Sequence, residues 1–253
     1  MLSRKPWQPE FVLLFGAAMF TCYGFVAVAA LLLQKSGLAG FQNPDDAGFA
    51  LLGTLGIEGP AWIFILVFLR LHKTNWRDAF GLRGPDLGKS LLLAVGVLAF
   101  TLPVVWLLQG ISGVVLEKIG MPAESQPAVE MFLGLKASWL RVCFGIFAVV
   151  IAPVAEEFIF RGMLYPFVKQ LGSPRAALFG VSAIFAAVHF DAGTFVPLFA
   201  LALALTWLYE RTDNLLAPIA AHSLFNATNL AALHFLPQIN EFLQKSLHVQ
   251  LLK

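Results

Sequence analysis

Charge is scarce in this chain. Of its 253 residues, 13% are Asp, Glu, Lys or Arg, against roughly 25% in a soluble domain. So little charge cannot clothe a water-facing surface. With 58% hydrophobic residues and a mean hydropathy of +0.77, the solvent for most of the surface is lipid. Charge of one sign is lacking too: the net charge of +2 gives a polyanion nothing to hold and argues against a nucleic-acid partner. There are 2 cysteines, Cys22 and Cys143, both in apolar runs. That excludes a disulfide scaffold and a cysteine metal knuckle. No internal repeat and no low-complexity linker breaks the chain, so residues 1–253 read as a single integral-membrane domain.

What the chain has instead is a series of apolar runs, at about 11–33, 48–71, 89–111, 139–168, 175–190, 194–210 and 214–236. These predict about seven transmembrane helices, six to eight, in an all-α polytopic bundle. The first run is longer than the ~7–15 residues of a cleavable signal core, so it reads as a retained helix. Pro153 predicts a kink in the fourth run. The loop after the second run holds Arg70, Lys73, Arg77, Arg83 and Lys89 against Asp78 and Asp86. The positive-inside rule then places that loop and the N-terminus in the cytoplasm, in a cell (plasma or inner) membrane. From residue 238 to 253, Ile239, Phe242, Leu243 and Leu247 share one helical face, which predicts a tail lying on the membrane surface.

Ionisable groups inside such runs are costly, about 2.5–3.5 kcal/mol each on insertion scales. The stretch Glu156-Glu157-Phe158-Ile159-Phe160-Arg161 therefore calls for a chemical reason. Two further polar pairs sit in the spans, Phe185-x-x-x-His189 and His222-x-x-x-Asn226, each with the i, i+4 spacing of one helix face. At ~1.5 Å per residue, Glu156 lies roughly 20 Å from Lys169, His189 roughly 21 Å from Arg175, and His222 at most about 16 Å from Arg211. Three separate helices thus place polar groups in one layer.

Within the stretch, Arg161 is i+4 from Glu157, so these two can pair. Glu156 is turned by ~100° and can face a cavity. The resulting expectation is hydrolysis. Glu156, with His189, takes a proton from water, and the water attacks a peptide carbonyl. His222 and Asn226 donate to the oxyanion. Alternatively Glu156, His189 and His222 hold a divalent metal such as zinc, although no H-E-x-x-H stretch is present. Phe185 reads as packing. Asp191 reads as the start of the Asp191-Ala192-Gly193 turn. Glu58, beside Gly59-Pro60 in the second run, is a further candidate for a buried charge; the preferred reading is an acid at a helix start.

Ala152-Pro153-Val154-Ala155-Glu156-Glu157-x-x-Phe160-Arg161-Gly162, then Phe185-x-x-x-His189, then His222-x-x-x-Asn226, resembles the CPBP family of type II CAAX prenyl endopeptidases and bacterial Abi proteins. Asn75-Trp76-Arg77-Asp78-Ala79-Phe80-Gly81-Leu82-Arg83 looks like the Gly-Leu loop found upstream in its bacterial members. The family-like core covers about residues 139–230. The resemblance implies an intramembrane endopeptidase in which Glu156 is the base, His189 shares water activation, His222 and Asn226 form the oxyanion site, and Glu157 with Arg161 supports them. It implies a peptide or lipidated protein substrate, and it leaves both a metal-dependent and a metal-free mechanism open. The rival expectation is a non-catalytic membrane binding or immunity protein that uses the same polar layer.

Overall fold

A computed structural model describes residues 2–42, 47–82, 86–121, 127–135 and 138–247. Helix α1 (Pro9–Ser36) and helix α2 (Ala47–Leu71) come first, then the short α3 (Trp76–Ala79) and the long α4 (Leu87–Lys118). After α5 (Pro127–Gly134), one rod runs from Ser138 to Gln170 as α6 (Ser138–Ile146), a π-helical stretch (Phe147–Ile151), α7 (Ala152–Glu157), a second π stretch (Phe158–Leu164) and α8 (Tyr165–Gln170). The chain finishes with α9 (Pro174–Ala187), α10 (Ala192–Thr212) and α11 (Leu216–Leu247). The described residues contain no strand.

Local chemistry accounts for the helix ends. Pro9 and Pro174 open α1 and α9, where a missing N–H costs nothing. The Asn75 side chain accepts from Asp78 N to start α3, and the Asp191 side chain accepts from Gly193 N to start α10; each satisfies a donor that the first turn leaves open. Asp191 thus begins the turn, as expected.

All seven apolar runs are helical. Five helices among the described residues are long and apolar enough to cross a membrane. The two others differ for physical reasons. Helix α9 has only 14 residues. Helix α11 has 32, but His222, Asn226 and Asn229 lower its apolarity. It continues without a break through Pro237; the side chains of the expected surface tail lie outside the described residues. Glu58 departs from its expected place. Helix α2 begins at Ala47, so Glu58 stands in the helix interior and not at a helix start.

Helix α10 is the core of the bundle. Half of its apolar window is buried (50%), against 11–22% for the other four membrane-length helices. It packs on α4, α9 and α11, while α1 pairs with α2 at one side. Leu201, Ala202, Leu205, Leu208 and Tyr209 of α10 are fully enclosed. On the outside the pattern inverts: Phe20, Phe25, Leu92 and Phe100 are 80, 72, 73 and 75% exposed. Such a surface is stable only against hydrocarbon. The chain is an integral membrane protein built as a helical bundle.

One end of the bundle is closed by the segment before α1 and the loop around α3. Lys5 Nζ pairs with Asp213 Oδ1 at 3.1 Å, and Leu2 N donates to Glu210. Lys169 and the Tyr165 hydroxyl meet the same Glu210 carboxylate. Gln8 N donates to His72 Nε2. Leu215 N donates to Phe80 O, so the α3 loop is stitched to the start of α11. Gly81 is required there. Its φ is +66°, and a Cβ at this position would lie 1.9 Å from Asp213 O.

Candidate active site

The rod Ser138–Gln170 carries the glutamate pair, and two prolines shape it. A π-helix bonds each N–H to the carbonyl five residues back, and such stretches are frequent at functional sites. Ala152 N donates to Phe147 O in this register. The next residue, Pro153, has no N–H, so Ala148 O is left without a partner. Asn226 fills the gap: its Nδ2 donates to Ala148 O at 2.8 Å. A second proline acts just after the second π stretch, where the chain returns to the α register. Tyr165 N donates to Phe160 O, again five back. Pro166 then offers no N–H to Gly162 O, four residues earlier. The Trp7 indole Nε1 takes that carbonyl at 2.8 Å. Each proline thus frees a carbonyl that a distant side chain claims, and the α7 turn between them is pinned at both ends.

Gly162 is also where the α3 loop docks. A Cβ there would lie 2.6 Å from Phe80 Cε1. The Phe80 ring is fully buried and meets Phe158 at 4.4 Å and Trp76 at 5.9 Å. The Gly-Leu loop is therefore a brace on the helical rod that presents the glutamates.

Glu157 is 0% and Arg161 1% exposed. Arg161 Nη1 donates to Glu157 Oε1 at 2.7 Å, its Nη2 to Ala202 O at 3.2 Å, and its Nε to Thr206 Oγ1 at 3.4 Å. The guanidinium also lies 4.5 Å from the centre of the Phe185 ring. A charge this deep demands such full pairing. His222 joins the pair: its Nδ1 stands 2.8 Å from Glu157 Oε1. A carboxylate that takes the Arg161 proton donor accepts here too, so Nδ1–H donates, and in the neutral imidazole Nε2 carries the lone pair. That Nε2 faces Glu156 Oε2 at 3.8 Å. The gap is too long for a direct hydrogen bond and suits a bridging water.

His189 sits just beyond the end of α9. Its Nδ1 lies 2.7 Å from Phe185 O. A carbonyl only accepts, so Nδ1 is protonated, and in the neutral imidazole Nε2 again carries the lone pair. The Phe185 ring is the hub between the two imidazoles, 5.0 Å from His189 and 5.8 Å from His222. Its packing role was expected. Its contact with both histidines and the arginine was not legible from spacing.

The structure thus brings Glu157, Arg161 and His222 into direct contact, with Glu156 facing His222 across 3.8 Å. It sets His189 against the shared Phe185 ring, and it places Asn226 one helical turn from His222, on the π-helix carbonyl. The partner that faces Glu156 is His222. Two bare imidazole nitrogens and a carboxylate are chemically suited to a divalent metal. Among the described residues, however, no three His, Cys, Asp or Glu side chains stand at metal-binding spacing. The present arrangement does not fit such an ion, and no step below runs through one.

Comparison with known proteins points to the same segment of the chain. Residues 137–228 match the family described as "Type II CAAX prenyl endopeptidase Rce1-like". This segment, a little over a third of the chain, is what is similar to that family. The matched segment begins at the rod that holds Glu156 and ends just beyond Asn226, so it contains the whole polar layer. The chain is also 26% identical over 226 residues to the Bacillus subtilis (strain 168) protein named "Putative membrane peptidase YdiL", with 89% of each chain covered. No solved structure matches. Trp7 and Phe80 lie outside the matched segment. Sequence reasoning missed both as supports of the site, although the Gly-Leu loop was a signal for Phe80.

Proposed function

We propose that this protein is an intramembrane endopeptidase that hydrolyses a peptide bond of a membrane-associated substrate by glutamate-activated water. The observation that carries the reading is the Glu156–His222 face. A carboxylate and a tautomer-locked imidazole stand 3.8 Å apart, with the neutralised Glu157–Arg161 pair buried behind them. The family match and the similarity to a membrane peptidase support the same reaction class.

In the mechanism, Glu156 accepts a proton from a water held between it and His222 Nε2. The hydroxide oxygen bonds to the scissile carbonyl carbon, and the carbonyl oxygen becomes an oxyanion. Nδ2 of Asn226 has two N–H groups; one is on Ala148 O, and the other is the oxyanion donor in this reading. His222 donates to the oxyanion as well in the form that has already taken a proton from solvent on Nε2 before the substrate binds, with Glu157 stabilising that imidazolium. His189 Nε2 is a second acceptor that orients the water. The C–N bond breaks as the proton passes from Glu156 to the leaving nitrogen.

The finer expectations extend this reading. A prenylated C-terminal tripeptide of the CAAX type fits an enzyme whose site is reached through lipid. The N-terminus, the α3 loop, Lys169 and Arg211 gather at one end of the bundle, which the positive-inside rule places in the cytoplasm. The test is cleavage of a peptide library and a fluorogenic prenyl-peptide by purified protein, beside Glu156→Gln and His189→Ala. Turnover in the wild type that both variants lose is the expected result. Equal turnover in all three, or none in any, would refute the peptidase reading. Chelator treatment with metal analysis decides the cofactor.

A further inference from the structure

A cleft of about 450 Å³ opens between α4 and α10, away from the polar layer. Leu93, Gly96 and Phe100 of α4 line it, with Ala200, Ala204 and Trp207 of α10. None of Glu156, His189 and His222 does. Small residues make the space: a Cβ on Gly96 would meet nothing within 4 Å. Leu93, Phe100, Val104 and Trp207 are exposed, so the cleft opens to lipid.

Its length matches one leaflet. Helices α4 and α10 run antiparallel. Late in α4, Leu116 Cδ1 lies 3.4 Å from where a Gly193 Cβ would stand, at the start of α10. The cleft therefore runs from the level of Leu93 and Trp207 to that of Val104 and Ala200. From Leu93 to Val104 is roughly 16 Å, half of the ~30 Å hydrocarbon core. One acyl chain spans that depth.

The mouth of the cleft carries a cation. Arg211 follows Trp207 by one turn, and its guanidinium lies 5.3 Å from the centre of the Trp207 ring. Arg211 is exposed, and among the described residues no carboxylate pairs with it. The acids nearby are engaged elsewhere. Glu210 is held by Lys169, Tyr165 and Leu2 N. Asp213 is held by Lys5 and Ser3. Asp86, before the start of α4, is held by Lys89 at 2.9 Å. An apolar cleft one leaflet deep, with an uncompensated guanidinium at its mouth, is complementary to a lipid with a negative head. A zwitterionic lipid would bring its own cation beside Arg211.

We propose that the cleft between α4 and α10 binds one anionic phospholipid: an acyl chain lies along it from Leu93 to Val104, and the headgroup phosphate accepts from Arg211. The proposal does not depend on the peptidase reading.

The test uses full-length protein in phosphatidylcholine nanodiscs. Chain-brominated phosphatidylglycerol is titrated in, and chain-brominated phosphatidylcholine in a parallel series. Bromine quenches a tryptophan that it touches, and the part of the emission that Trp207→Phe removes reports on the cleft. Phosphatidylglycerol is expected to quench this part at an about fivefold lower mole fraction than phosphatidylcholine, the effect of one interfacial charge. Arg211→Gln should abolish the difference, and Arg211→Lys should keep it. Gly96→Leu fills the open space and should also remove it. Each variant is first checked for an unchanged thermal melt in detergent. Equal quenching by the two lipids in the wild type overturns the proposal, because it marks general bilayer contact. So does a preference that survives Arg211→Gln or Gly96→Leu, or one that Arg211→Lys loses as fully as Arg211→Gln. A second copy of the chain seated in the cleft would leave Trp207 unquenched by either lipid, which overturns it as well.

Discussion

Replacing Arg161 by leucine tests how the buried charge is held. In the wild type, the guanidinium meets Glu157 Oε1 at 2.7 Å, Ala202 O at 3.2 Å and the Phe185 ring at 4.5 Å. Arg161→Leu leaves Glu157, 0% exposed, as an uncompensated carboxylate. Breaking a buried pair from one side costs about 3–5 kcal/mol. Glu157→Leu together with Arg161→Leu removes both charges and fills the space with hydrocarbon. What remains is the His222 Nδ1–H without its acceptor, a penalty of about 1–3 kcal/mol. The double variant should therefore be more stable than Arg161→Leu alone by about 2 kcal/mol. Reversible unfolding in mixed micelles, with all combinations of the two changes, measures this directly. A double variant no more stable than Arg161→Leu would refute the claim that an orphaned Glu157 charge is what destabilises the single change. So would an Arg161→Leu that costs less than about 1 kcal/mol, since the pair would then not be buried as described.

Three other perturbations probe the supports of the site. Gly162→Ala drives a methyl to 2.6 Å from the enclosed Phe80 ring; the expected loss is about 1–3 kcal/mol of stability, partly restored by Phe80→Leu, read as thermal melts of the single and double variants. Asn226→Leu orphans Ala148 O next to Pro153, with an expected cost of about 1–3 kcal/mol in the same unfolding assay, and a loss of peptide turnover that exceeds this destabilisation if its second N–H binds the oxyanion. Trp7→Phe keeps the aromatic packing on Phe68 and removes only the donor to Gly162 O; about 1 kcal/mol is expected, and faster amide exchange should appear around Gly162, whereas unchanged exchange there would mean that the indole bond does not pin the rod.

Much of the site was legible because helices have a fixed period. The i, i+4 spacing of Glu157 and Arg161 placed both on one face, and the structure pairs them. The shared depth of Glu156, His189 and His222 pointed to one layer, and Glu156 and His222 do meet. Periodicity fails where the helix leaves the α register. The π stretches at Phe147–Ile151 and Phe158–Leu164 rotate the residues that follow them. No spacing rule could show that Asn226 would answer for Pro153, or Trp7 for Pro166. Glu58 was misplaced for another reason: Gly59-Pro60 marked a helix start in the sequence, whereas α2 runs on through Pro60.

By itself the sequence determined the solvent, the helical architecture and the chemistry on offer. Those depend on composition and on neighbours within one helix, which the chain order contains. The tertiary structure alone decided which imidazole faces Glu156, which acceptor each Nδ1 meets, and which side chains answer the carbonyls freed by Pro153 and Pro166. Each of those depends on how separate helices pack in register, and burial then forces every polar atom there to take whatever partner the packing brings.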